Sequence, residues 1–137
     1  MQEIGKTPLA AVHQMPPSSP HGRNIPVKKD GISVATAKDG ISIAELYARR
    51  ENYANKLTKV RGQVTKFNAN IMGKNWVHLQ DGTNDSGNYD LTIATSDMVK
   101  VGEVVTFEGK VTLKKKFGAG YFYEVILEDG KKLDDAM

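Results

Sequence analysis

The sequence contains no cysteine, which excludes disulfide staples and thiolate chemistry alike. No apolar run approaches the roughly 18–20 residues that a membrane-spanning helix needs. Met1–Met15 mixes charged and polar residues without the apolar core of a secretory leader. Aromatic residues are few, 7% with a single Trp, so a ring-lined surface must draw on a handful of positions. A strong excess of one charge is also missing. The formal net charge of +3 is the difference between 19 Lys/Arg and 16 Asp/Glu, and residues 41–137 contribute 14 against 13. Dedicated nucleic-acid binders carry a heavier basic excess, so overall charge says little about a partner. At 137 residues, 39% of them hydrophobic, the chain holds one globular domain's worth of sequence.

Proline is present but confined. All five prolines lie at or before Pro26, in Met15-Pro16-Pro17-Ser18-Ser19-Pro20 and at Pro8 and Pro26. Proline removes backbone donors and biases its neighbours toward extended conformations, so residues 1–38 are expected to form a disordered or extended tether. His13, Met15 and His21 fall in this stretch; a soft-metal site is conceivable there, but nothing in the pattern orders the three side chains, and no metal or other cofactor is expected.

Folded structure is expected over 39–128. Ser42-Ile43-Ala44-Glu45 reads as a capping box, and Ile43, Leu46, Tyr47 and Arg50 share a face at helical spacing, which predicts a helix over 43–54. From Leu57 the period becomes 2. Strands are predicted over 57–67, 76–80, 89–95, 104–113 and 121–127, with Gly62 marking a bulge or bend and 129–137 a frayed tail. The predicted class is all-β with one N-terminal helix, its five short strands closing as a small barrel.

Three segments carry a family resemblance. Val60-Arg61-Gly62-Gln63-Val64 resembles the first strand of an OB-fold, where a glycine lets one strand bend and serve both halves of the sheet. Trp76-Val77-His78-Leu79-Gln80-Asp81-Gly82-Thr83 resembles the aromatic-x-x-Leu-x-Asp-Gly pattern of the anticodon-binding (tRNA_anti-like) class. Val101-Gly102-Glu103-Val104-Val105-Thr106-Phe107-Glu108-Gly109-Lys110-Val111 resembles the fourth strand. The arrangement, with its leading helix, is also similar to exported bacterial OB-fold proteins of unassigned function. The resemblance implies a five-stranded OB barrel and a binding role. It further implies a periplasmic or otherwise exported location, the cytoplasm being the alternative.

In the anticodon-binding class the aromatic opening the second strand stacks on a base, and Trp76 holds that position. If Val77 and Leu79 fill the barrel, Trp76, His78 and Gln80 face solvent; the competing expectation packs the indole beneath the helix. No acidic residue lies between Glu51 and Asp81, an interval that holds Lys56, Lys59, Arg61, Lys66 and Lys74. Lys114, Lys115 and Lys116 open a second basic loop. Phe67 and Trp76 adjoin the first loop, and Phe117 and Tyr121 adjoin the second. Cations beside rings suit single-stranded nucleic acid, whereas loop lysines alone serve solubility. The expected nucleic-acid-binding residues are therefore Lys66, Phe67, Lys74, Trp76, His78, Lys114, Lys115, Lys116, Phe117 and Tyr121. Single-stranded DNA or RNA is the expected partner. The alternative is an exported protein-interaction or structural module tethered by residues 1–38, and binding of an oligosaccharide or small ligand is a third. Gly118-Ala119-Gly120 lacks the Lys-Ser/Thr and helix of a phosphate loop. Asp81, Asp85 and Asp90 lack the order of a calcium loop and read as surface turn residues. No nucleophile pairs with His78 by pattern, so no enzyme is expected.

Overall fold

The structure, a computed structural model, describes residues 27–118 and 120–134. It is mostly β: two short helices, α1 (Ile43–Ala48) and α2 (Arg50–Tyr53), precede β1 (Leu57–Ile71), β2 (Lys74–Gln80), β3 (Leu91–Thr95), β4 (Val104–Gly118) and β5 (Tyr121–Leu133). The strands form one sheet that closes on itself in the order β1-β2-β3-β5-β4, with only β3 and β5 parallel. Residues 1–26, which hold most of the expected tether, lie outside the described residues. The stretch 27–41 runs past the end of β2, where the Val34 amide donates to the Asp81 carbonyl and the Ile41 amide to the Lys59 carbonyl.

β1 makes closure possible by changing partners along its length. Leu57–Gln63 pairs with β4, and from Gln63 onward the strand pairs with β2. Gly62 sits at the changeover, where a Cβ would lie 3.0 Å from the Gln80 carbonyl oxygen, so the bend expected there is a place where two backbones meet closely. Alternation holds through this strand: Val60 and Val64 enter the core with Val77, Leu79, Leu91, Ile93, Val105, Phe107, Val111, Val125 and Leu127.

The predicted helix is broken at Arg49, whose φ of −121° is not helical. Its start is held by three side-chain oxygens. The Ile43 amide donates to Asp81, the Ala44 amide to Thr83 and the Glu45 amide to Ser42. Only half of the capping box forms, because the Glu45 carboxylate accepts from the Tyr53 hydroxyl instead. The Asp81 and Thr83 bonds satisfy otherwise orphaned amides and seat α1 on the β2–β3 connection, with Ile43 and Leu46 buried in the core.

Two expected loops are strand. β1 and β2 continue as a ribbon to a two-residue turn at Met72-Gly73, whose φ values of 54° and 76° are those of a type I′ hairpin. β4 runs through Lys114–Phe117 to Gly118, pairing with β5 at Lys115, Lys116 and Gly118 with an irregularity between the last two, and β5 itself continues to Leu133. Gly109 lies beneath that second ribbon, where a Cβ would stand 2.7 Å from the Glu128 carbonyl oxygen and 2.9 Å from the Leu127 side chain. Gly109→Ala is therefore expected to lower unfolding stability by about 1–3 kcal/mol through overpacking. Lys110→Ala, at an exposed neighbour, should stay within about 0.5 kcal/mol. Urea titration followed by circular dichroism compares the two, and equal midpoints would contradict the close approach.

Candidate functional site

The outer face of β2 is the natural place to look for a site, because Trp76, His78 and Gln80 line it. Val77 and Leu79 fill the core as expected, yet these three residues do not reach solvent: Trp76 is 0% exposed, and His78 and Gln80 are each 2% exposed. The expectation of a solvent-facing indole, imidazole and amide is corrected. The indole does not lie beneath the helix either. It packs in a second cluster with Ala94, Tyr123 and Ile126, flanked by Ile71 and Phe117. Phe117 meets it edge-on at 5.1 Å, and Tyr123 stacks on it at 5.9 Å. The indole Nε1 donates to the Ile71 carbonyl at 2.8 Å. Because β4 extends beyond its predicted end as far as Phe117, that ring and Tyr123 of β5 reach over β2 and cover the indole. A base cannot stack on Trp76 while Phe117 and Tyr123 occupy its surroundings.

Beside this aromatic cluster lies a buried polar network. His78 Nδ1 and Asp90 Oδ2 are 2.6 Å apart, and Gln80 Nε2 donates to Asp90 Oδ1 at 3.2 Å. The Gln80 side chain also donates to the Val27 carbonyl and accepts from the Lys29 amide, which fastens the incoming chain to β2. The Tyr47 hydroxyl donates to the Asp90 carbonyl oxygen at 2.7 Å. One atom is left over: His78 Nε2 is buried without a hydrogen-bond partner. Such an orphan costs on the order of 1–3 kcal/mol, so it marks a position that stability alone does not explain.

Asp81 and Asp90 are thus not the surface turn residues expected. Both are buried, Asp81 holding α1 and Asp90 orienting His78. Asp90, Tyr47 and Tyr123 were missed as site residues. Their only signal is position, a carboxylate at the entry of an apolar strand and tyrosines on otherwise apolar faces.

The basic residues fare differently. Lys114 and Lys116 are exposed and enter no ion pair among the described residues. Lys115 lies 3.6 Å from Glu128 and 5.5 Å from the Phe117 ring centre. Lys74 borders a groove of about 360 Å³ shared with Asp97, Asp129 and Lys131. Lys66 and Phe67 are half-buried, Phe67 packing on the core, and Tyr121 is half-buried opposite Gly118. The structure therefore brings Trp76 and Phe117 together with Lys115 near the ring of Phe117, while Phe67 belongs to the core. Among the described residues no group of three or more His, Cys, Asp or Glu could hold a metal; His13, Met15 and His21 lie outside them. No described helix is long and apolar enough to cross a membrane. No family model matches the chain, and no curated protein matches it.

Burial, followed by the charge of Asp90, pushes the Tyr47 phenol well above the usual tyrosine range, with Arg50 opposing. Burial, then Tyr121 and Asp90, does the same for Tyr123. Stability from these neutral phenols is complete below tyrosine's ordinary value of about 10 and is lost as pH rises from there toward their raised values. The urea midpoint is therefore expected to fall between about pH 9.5 and 11.5, and Tyr47→Phe to remove part of that fall. A wild-type midpoint that stayed level over this range would contradict the assignment.

Proposed function

We propose that this chain is a non-enzymatic binding module on an OB-type barrel, taking single-stranded nucleic acid or a similar extended polyanion along its two long ribbons. The order β1-β2-β3-β5-β4, the parallel β3–β5 pair and the sharing of β1 between two partners support the OB assignment. The observation that carries the binding role is the β4–β5 ribbon. It presents Lys114 and Lys116 to solvent beside the half-buried rings of Phe117 and Tyr121, next to the face of β2 that OB barrels use. Lysines neutralise phosphates and release counterions, and aromatic rings stack on bases without regard to sequence. Trp76 holds the ribbon in place and is not itself a contact.

The second reading is an exported protein-interaction module. It is favoured by the exposure of Met98, Val101 and Val104 along the β3–β4 connection, beside a groove of about 430 Å³ lined by Glu103, Val104, Val105, Lys132, Leu133 and Asp134.

Fluorescence anisotropy with a labelled oligothymidylate at about 50 mM salt tests the first reading, because weak phosphate-driven binding is strongest there. The chain is expected to bind, and Lys114→Ala with Lys116→Ala should flatten the log K against log salt slope by roughly 1.4, about 0.7 for each phosphate contact removed. Trp76 emission should change little on binding. No binding at that salt would end this reading, and recovery of a single protein partner without nucleic acid would select the second.

A further inference from the structure

We propose that residues 27–34 form a hinged strap that opens as a unit from the barrel, with Gln80 as its latch, and that opening admits solvent and solutes to the buried His78–Asp90 pair. The proposal does not depend on the polyanion reading.

The strap is held by polar bonds more than by packing. Gln80 Nε2 donates to the Val27 carbonyl at 2.9 Å, and Gln80 Oε1 accepts from the Lys29 amide at 3.0 Å. Further along, the Val34 amide donates to the Asp81 carbonyl at 3.1 Å. Between these points the Ile32 carbonyl oxygen passes so close over Gly82 that a Cβ there would collide with it. None of residues 27–40 is buried; Ile32 and Val34 are half-buried, and Val27 is 68% exposed. A segment with few buried apolar contacts opens locally at a small fraction of the free energy of global unfolding. Its far end is fixed. The Gly40 amide donates to the Ala37 carbonyl and the Ile41 amide to the Lys59 carbonyl, so the strap hinges over 35–40 and is pinned to β1 at Ile41.

What lies beneath the latch favours opening. Gln80 bonds to the strap on one side and to Asp90 on the other, at 3.2 Å, and Asp90 in turn holds His78 Nδ1 at 2.6 Å. An ionised carboxylate only accepts, so the ring proton sits on Nδ1 and the lone pair of the neutral ring on Nε2, the buried atom without a partner. Gln80 is the next residue after His78 on the same face of β2, about 6.5–7 Å along the strand. Water that enters beside a released Gln80 therefore reaches Nε2 and supplies the donor it lacks. The bonds broken at the latch are likewise remade with water. Closed, the strap leaves one buried acceptor unsatisfied; open, it leaves none. The penalty relieved at Nε2 opposes the two latch bonds, which sets the closed and open states close in free energy.

Native-state hydrogen exchange on the full chain measures the opening directly. The Lys29 and Val34 amides are expected to share one opening equilibrium, about a hundredfold or more above that of the Val64 amide, which donates to the Glu103 carbonyl in the barrel. Diethyl pyrocarbonate, which acylates an accessible unprotonated imidazole nitrogen, then reports on His78, resolved from His13 and His21 by peptide mass mapping. Lys29→Pro removes the latch amide without touching Gln80, Asp90 or His78, and should speed modification of His78 about tenfold or more. Val64 protection is read in the same variant to show that its barrel is intact; were it lost, the wild-type exchange data alone decide. Lys29 and Val34 amides as protected as Val64, or opening independently of each other, would overturn the proposal. So would equal rates of His78 modification in the wild type and an intact Lys29→Pro chain.

Discussion

The indole of Trp76 donates to the Ile71 carbonyl at one end of the ring of strands and lies against Phe117 and Tyr123 from the other ribbon. This contact ties the β1–β2 hairpin to the β4–β5 hairpin, which sequence separates by dozens of residues. It also makes β2 a strand buried on both faces, with Val77 and Leu79 inside and Trp76, His78 and Gln80 under cover outside. Fully burying one large aromatic side chain and its neighbours contributes several kcal/mol, roughly 3–5 for such a ring judged by its truncation, so much of the ribbon geometry hangs on it.

Double burial forces every polar atom on that face to be satisfied within the protein. Gln80 answers with bonds to Asp90 and to the backbone at Val27 and Lys29, and His78 answers with Asp90. The same logic operates at the β2–β3 connection, where Asp81 and Thr83 take up the first amides of α1. A helix of six residues has little intrinsic stability and is held by those oxygens and by the burial of Ile43 and Leu46. His78 Nε2 is the exception within an otherwise satisfied network, and for that reason it is chemically informative.

Function follows from what the cover leaves outside. On the proposed reading, contacts with a polyanion fall to the exposed lysines and half-exposed rings of the ribbon, not to the face beneath them. A surface of that kind binds weakly, without sequence preference, and with strong dependence on salt.

Much of this fold was legible from residues alone. The period-2 alternation of Val60, Gly62 and Val64, the glycine at the strand's change of partner, and the Ser42 cap are local features, each enforced by backbone geometry within a few residues. Alternation also correctly separated Val77 and Leu79 from Trp76, His78 and Gln80. It could not say whether the second face meets water. The lengths of the ribbons, the roofing of Trp76 by Phe117 and Tyr123, and the partners of Asp81 and Asp90 were decided only by the tertiary structure. Strand periodicity specifies which side a residue takes, whereas burial depends on which distant segments are laid across that side.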